Sequence, residues 1–292
     1  VDETTKKTIE AARQKRALNY LSSVWKPHGG QVQAGRAVFG QGAKMVYIEC
    51  GRKFGKSEFS VFACWMKAIM HPNSEVYYLA PAVKLARELV WANRRMQTCN
   101  SYKGDFLKRM EKLLGGPIEI SKQEMRIILP NGSFIKVDGS DNIDSQLGLK
   151  PDLIIADEFR TFKEEWLEFM TPNLAAKNGA LVAISTPPLG PNRAYEHAIE
   201  CKKRMEEGNP RYFYLNLPSE TNDAVPHLKG WLKDEKQRLI GLGREKEWLR
   251  EYMAQYIADN EDAILPQLNR KSELICDSRE IMLMLGDKNG TH

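Results

Sequence analysis

The chain has 292 residues, 42% hydrophobic and 28% charged, a length that buries a sizeable core near the limit for one large α/β domain. Its net charge of +5 permits contact with a polyanion without requiring it, and no secretory or membrane-length apolar run is present. The five cysteines (50, 64, 99, 201 and 276) show no CxxC pair or metal spacing, so reduced thiols are expected, with Cys64 and Cys99 in core positions.

Residues 1–20 read as an amphipathic helix, with Ile9, Ala12, Leu18 and Leu21 set among Lys and Arg. Trp25-Lys26-Pro27-His28-Gly29-Gly30-Gln31 follows, where an amide could meet a purine edge and an aromatic side chain its ring.

Met45-Val46-Tyr47-Ile48 is a strand and Phe59 to Trp65 lies in a helix that runs to Met70. Between them stands Cys50-Gly51-Arg52-Lys53-Phe54-Gly55-Lys56-Ser57, which ends as a phosphate-binding P-loop ends. Gly55 lets the backbone approach a phosphate, and Lys56 would reach the β and γ oxygens. Ser57 would hold Mg²⁺ at a helix N-terminus, where free N–H groups favour anions. Cys50 occupies the place of the pattern's first glycine. A lone Gly-Lys-Ser also occurs in ordinary surface turns, so the reading needs a partner downstream.

Glu75-Val76-Tyr77-Tyr78-Leu79 is a second strand, and the helix after Ala80-Pro81 carries Leu85, Leu89 and Met96 on one side. Strand then helix, twice, is the pattern of a parallel sheet with crossover helices. A helix over 104–114 ends at Gly115-Gly116, and Met125–Leu129, Pro-Asn-Gly-Ser and Phe134–Val137 make an antiparallel hairpin.

A polar loop over 139–150 delivers the chain to Leu153-Ile154-Ile155-Ala156-Asp157-Glu158, a buried strand tipped by two carboxylates. This is the partner the P-loop requires. Asp157 would order the Mg²⁺ shell and Glu158 would polarise the attacking water, although Asp-Glu there could also cap the next helix. Ala180–Ile184 is another buried strand; Ser185 and Thr186 at its tip are placed as γ-phosphate sensors, unless Pro187 simply stops the strand.

A helix over 192–207, a strand Tyr212–Leu215 and charged helices over 228–240 and 244–257 complete the body. Trp248, Leu249, Tyr252, Met253 and Tyr256 form a helical packing face. Residues from 258 read as a linker, and 269–292 have no clear pattern.

In order along the chain, these stretches resemble the large terminase subunit of tailed phages, the motor that packages DNA into a capsid. Gln31 stands in the adenine-recognition segment, and Gly51-Arg52-Lys53-Phe54-Gly55-Lys56-Ser57 is similar to that family's P-loop, which tolerates loss of the first glycine and carries an arginine at Arg52. Tyr78-Leu79-Ala80-Pro81-Ala82 resembles the segment after the second strand, and Leu153–Glu158 the Walker B strand. Ser185-Thr186-Pro187 resembles the coupling motif, and Asn216-Leu217-Pro218-Ser219 with Arg250-Glu251-Tyr252 the end of the ATPase domain.

The resemblance covers residues 20–268 and implies a P-loop NTPase of the RecA/ASCE-like type, with a mainly parallel central sheet flanked by helices and an added antiparallel hairpin. A helix over 1–24 would pack on an ATPase domain over 25–258, with a tail over 259–292. ATP and Mg²⁺ are the implied cofactors. Glu158, Lys56 and Arg52 are the implied catalytic residues, Ser57 and Asp157 the metal ligands. Gln31 and residues Gly51, Arg52, Lys53, Phe54, Gly55, Lys56 and Ser57 would bind ATP, and Ser185 and Thr186 would couple hydrolysis to movement.

Double-stranded DNA, a portal protein and the small terminase subunit are the implied partners. A homo-oligomeric ring in the host cytoplasm, docked transiently on the procapsid, is the implied assembly, and the isolated chain could be monomeric. Two departures qualify this. Gln146-Leu147-Gly148 stands where relatives place Arg-Gly before the Walker B strand, which leaves Lys150 and Arg160 as candidates for a charge supplied in trans. Asp277, Glu280 and Asp287 are too few and poorly framed for a nuclease metal site, so the chain is expected to carry the ATPase portion without nuclease activity. A helicase-like DNA translocase and a non-hydrolysing nucleotide-dependent docking module are the rival readings. The first lacks a second RecA-like half, and the second does not need Lys56, Asp157 and Glu158 intact.

Overall fold

The computed structural model describes residues 2–40, 42–100, 105–141 and 143–257. It opens with α1 (Glu3–Val24), α2 (Gly29–Gly35), a π-helical turn Arg36–Gly40, β1 (Met45–Cys50), α3 (Lys56–Met70), β2 (Glu75–Ala80) and α4 (Val83–Ala86). A second π-helical turn, Arg87–Trp91, leads to α5 (Arg95–Thr98), α6 (Phe106–Leu114), β3 (Glu119–Ser121), β4 (Arg126–Ile128) and β5 (Phe134–Gly139). The chain continues through β6 (Leu153–Asp157), α7 (Trp166–Ala175), β7 (Ala180–Ser185), α8 (Arg193–Glu206), β8 (Tyr212–Leu217), α9 (Leu228–Gly241) and α10 (Glu245–Glu251).

The eight strands form a mixed, mainly parallel sheet flanked by helices, the α/β class expected. Among the described residues no helix is long and apolar enough to cross a membrane. The expected tail and the acidic residues Asp277, Glu280 and Asp287 lie outside the described residues. Two compact units make up the chain: residues up to Lys26 with Ser57–Ala183, and Pro27–Lys56 with the described residues from Ile184 onward.

In the first unit the strands run in the order β3-β4-β5-β2-β6-β7. Val76 to Ala80 and all of β6 are buried, as strands covered on both faces must be. Strand β2 pairs in parallel with β5 (Val76↔Ile135) and β6 (Tyr78↔Ile155). The expected hairpin is present as β4 and β5, turning through Gly132 at φ +81°. Strand β3, which extends the hairpin into a ribbon, has only three residues, too few to show an alternating pattern in sequence. Helix α3 is buried nearly all round, and α6 buries Phe106, Met110 and Leu114 at a spacing of one turn.

Two expectations in this unit need correction, and one helix has no counterpart in the sequence reading. Helix α1 does not bury Ile9, which is 41% exposed; it buries Ala17 and Leu21, because only its later turns meet the unit. There Gln14 Nε2 donates to the carbonyls of Ile69 (2.9 Å) and Met70 (2.6 Å), capping α3, and Trp25 stacks on Phe62 at 3.6 Å. The helix foreseen after β2 is broken: Ala92 N–H reaches back to the Arg87 carbonyl (2.7 Å), and the wider turn makes Ala86, Val90 and Trp91 the buried face in place of Leu85 and Leu89. Helix α7 was not foreseen and contains Pro172.

In the second unit β1 pairs in parallel with β8 from Met45↔Tyr212 to Cys50↔Leu217. Helix α8 begins where Asn192 Oδ1 accepts the Tyr195 N–H (3.0 Å), a cap worth about 1 kcal/mol. Trp248 and Tyr252 pack with Leu228, Leu232 and Leu239, with Leu249 and Met253 against them, whereas Tyr256 lies past the helix and stacks on Tyr195 at 4.1 Å. Helix α10 stops at Glu251, short of the foreseen 257. Its last carbonyls have partners elsewhere: Glu251 O accepts from Arg52 N (2.7 Å) and Tyr252 O from Ser219 N (2.8 Å).

Candidate functional site

The loop after β1 lies in the second unit up to Lys56 and is fixed by its carbonyls. Arg52 O accepts from the Ser219 hydroxyl (2.6 Å) and Lys53 O from Asn222 Nδ2 (2.8 Å). Phe54 O lies 2.6 Å from His28 Nε2, and Gly55 O accepts from Gln31 Nε2 (3.1 Å). A carbonyl only accepts, so His28 carries its proton on Nε2. Four consecutive carbonyls are therefore turned to side chains on two other segments, 28–31 and 219–222. Of the loop's own N–H groups, those of Gly51, Arg52 and Phe54 donate to the carbonyls of Leu217, Glu251 and Gly51, which leaves those of Lys53 and Gly55 for an anion.

Two glycines are demanded by space. A Cβ on Gly51 would collide with Ser219 Oγ and the Tyr252 carbonyl, and one on Gly30 would lie 2.7 Å from the Phe54 ring. Phe54 is fully buried, its ring meeting that of His28 edge-on at 4.9 Å, so its side chain wedges the loop against α2.

Gln31 is 1% exposed, and its Oε1 also accepts the His28 N–H (3.3 Å), so both ends of its amide serve the loop and the turn that starts α2. Arg52 does not stand alone beside the loop: its Nε donates to Glu251 Oε2 at 2.6 Å, and Arg250 Nε approaches Glu251 Oε1 at 3.2 Å. Glu251 is buried between the two guanidiniums. Ser185 and Thr186 are buried too, and the Thr186 hydroxyl has no hydrogen-bond partner among the described residues.

In the first unit Asp157, 1% exposed at the end of β6, accepts from Ser57 Oγ (3.1 Å) and Tyr78 OH (2.8 Å) on Oδ2. Its Oδ1 accepts the Glu158 N–H at 3.0 Å. Burial, then the adjacent Asp157 charge, push the Tyr78 phenol well above its ordinary pKa, so it remains a donor. A hydroxyl and a carboxylate are the hard oxygen donors that Mg²⁺ takes, so Ser57 and Asp157 would be the residues to hold such an ion. Glu158 has φ +56°, the left-handed region, and its carbonyl is held by Thr161 N (3.0 Å) and Thr161 Oγ1 (2.8 Å). Backbone held this way costs about 1–3 kcal/mol and clusters at functional sites.

Thus Ser57 and Asp157 meet directly, Gln31 meets Gly55, and Arg52 meets Glu251. The sequence reading missed His28, Ser219, Asn222 and Tyr78 as site residues. His28, Ser219 and Tyr78 lie in segments that resemble the terminase pattern, but nothing in those segments announces what the side chains touch.

A strand–loop–helix with this clasped Gly-Lys-Ser, on a mainly parallel sheet, defines a P-loop α/β protein. Solved structures of the same fold carry a particular description. The ATPase domain of the Thermus phage P74-26 large terminase matches at a TM-score of 0.59 and 21% identity, over 80% of this chain and 95% of that one. The HK97 bacteriophage large terminase matches at 0.61 and 16%, over 84% and 55%. The large terminase of a thermophilic bacteriophage, solved in complex with ADP, matches at 0.58 and 13%, over 79% and 54%. The chain spans about half the length of these last two. At such identities the likeness is one of fold. No protein-family model matches the sequence, and no curated protein matches it.

Proposed function

We propose that this chain is the Mg²⁺-dependent ATPase motor domain of a phage large terminase, driving double-stranded DNA into a procapsid. The observation that carries the reading is the clasp on the P-loop, where Ser219, Asn222, His28 and Gln31 take the carbonyls of Arg52 to Gly55. Such a loop is spent on shaping an anion cradle, which a surface turn does not need. The shared fold of three large terminases, one of them solved with ADP, adds support.

In this reading Lys56 holds the β and γ phosphates, with Lys53 and Gly55 lending backbone N–H groups, since those of Gly51, Arg52 and Phe54 already donate within the protein. Bound Mg²⁺, held by Ser57 and Asp157, supplies charge neutralisation at the phosphates. Glu158 accepts the proton of the attacking water. Arg52, released from Glu251, faces the developing charge. Gln31 acts through the Gly55 carbonyl it already holds, and Ser185 and Thr186 report loss of the γ-phosphate. The partners are duplex DNA, a portal protein, a small terminase subunit and further copies of the chain in a ring, assembled in the host cytoplasm on the procapsid.

The test is Mg²⁺-dependent ATP hydrolysis by this chain beside Glu158→Gln, over a range of protein concentrations and with added duplex DNA. Turnover lost in the variant while ATP binding survives is expected. Tight binding without turnover in either protein would replace the motor with a docking module.

A further inference from the structure

A second feature of the first unit is unrelated to the P-loop by residue. One face of the β4-β5-β2 ribbon is hollowed to about 450 Å³, and the hollow is lined by Arg87, Arg126, Lys136, Tyr77 and Phe134 among others. Strand alternation puts the four other than Arg87 together: Phe134 and Lys136 are two apart on β5, and Lys136 faces both Arg126 on β4 and Tyr77 on β2, while Arg87 comes from the turn after α4.

Three observations point to an anion. The first is the pairing of Arg126 directly across from Lys136, two like charges on an antiparallel ladder, an arrangement that destabilises a sheet unless something neutralises it. Lys136 has its own partner in Asp138 at 2.9 Å, whereas the nearest carboxylate to Arg126 is Glu124, at 3.8 Å and beyond hydrogen-bond reach.

The second is the unspent bonding capacity. Arg126 is one-third exposed and its Nε is buried with no hydrogen-bond partner. Arg87, exposed at the same hollow, carries no side-chain hydrogen bond or ion pair among the described residues. Guanidiniums in such a position match a phosphate or carboxylate through paired N–H groups.

The third is the aromatic floor. The Arg126 guanidinium carbon lies over the Phe134 ring, 4.0 Å from its centre, and Phe134 meets Tyr77 edge-on at 5.6 Å. A guanidinium stacked on one side offers its other side to a planar group, as in nucleotide-binding stacks.

We infer that this hollow is a second nucleotide-class site, taking a phosphate between Arg87 and Arg126 and a planar base against the Arg126–Phe134 stack. The same chemistry is presented by a free nucleotide and by one unit of a single strand. A carboxylate peptide would use the two arginines but leave the stack unused.

The inference goes beyond the ATPase reading and does not rest on it, so it is tested with the P-loop disabled by Lys56→Ala. Fluorescence anisotropy with a labelled oligothymidylate of about eight nucleotides and with a labelled nucleoside monophosphate separates the two sources. Binding of at least one probe is expected, weakened about tenfold by Arg87→Glu and by Arg126→Lys, which keeps the charge but loses the planar fork. Arg87 is exposed, so its replacement leaves folding intact, and thermal melting checks this. No binding of either probe, or binding indifferent to both substitutions, would overturn the inference. Absence of ATP hydrolysis by the chain with Lys56 intact, with this binding retained, would count against the motor reading alone.

Discussion

Arg52 in the P-loop donates its Nε–H to Glu251 at the end of α10, 2.6 Å away, while the Arg52 N–H donates to the Glu251 carbonyl at 2.7 Å. One residue of the loop is thus bound to one residue of the helix by both backbone and side chain. Glu251 is 5% exposed, while the Arg52 side chain is 56% exposed, so the pair is only partly desolvated. Glu251→Ala removes the acceptor and leaves Arg52 and Arg250 facing each other. The expected loss is ~1–2 kcal/mol, below the figure for a fully buried pair because solvent screens Arg52. Urea unfolding measures it. A double-mutant cycle with Arg52→Met then isolates the pairwise part, and zero coupling would show that the contact adds nothing.

Gln31 supplies the second prediction. Gln31→Ala frees the Gly55 carbonyl, and Gln31→Glu sets a carboxylate against it, acceptor to acceptor. Nucleotide affinity should fall about tenfold in the first variant and further in the second, an unpaired buried acceptor being worth ~1–3 kcal/mol. Titration with both ATP and GTP decides how Gln31 acts. Equal losses place its effect in the loop's shape, and a loss confined to ATP places it on the base.

The reach of the sequence is visible in these same residues. Strand β1, the loop and α3, and the strand ending in Asp157, were legible because each is a local pattern: an apolar run, a glycine turn, a charged tip. The clasp was not, because Ser219 and Asn222 act on carbonyls 167 and 169 residues away, and a hydroxyl or amide in a turn looks the same with or without such a target. The ion pair of Arg52 was illegible for the same reason, its partner Glu251 standing 199 residues downstream. Helix continuity failed after β2, where one wide turn at Arg87–Trp91 rotates the buried face without any proline or glycine to mark it.

Tyr78→Phe removes only the hydroxyl that donates to Asp157 Oδ2. The ring stays fully buried, so packing is preserved and the loss is the hydrogen bond alone. Stability should drop by ~1–3 kcal/mol, and Ser57→Ala should add a similar but not independent loss, since both donors serve one oxygen. Mg²⁺ supplied in excess should narrow the gap between Tyr78→Phe and the parent, the ion replacing the missing donor. Identical melting of parent and variant would remove Tyr78 from the account of the site.

Two buried titrating groups near β1 predict an unusual pH profile. Glu49, just before the loop, is pushed up from 4.5 to about 7 by burial, with Tyr214 (2.5 Å) and Asn216 (3.4 Å) donating to it and partly opposing the rise. His197 on α8 is pushed down from 6.5 to about 4, first by burial and then by Arg193. The folded state keeps Glu49's proton where the unfolded state has lost it, so this group makes stability fall as pH rises from 4.5 to 7. The folded state refuses His197's proton where the unfolded state accepts it, so that group makes stability rise as pH rises from 4 to 6.5. Each effect amounts to ~3 kcal/mol, and between 4.5 and 6.5 they cancel. Glu49→Gln should therefore give a Tm that climbs with pH relative to the parent across that window. His197→Gln should give one that declines. Thermal melts of the three proteins at half-unit pH steps test this, and parallel profiles would mean that neither group titrates as its surroundings dictate.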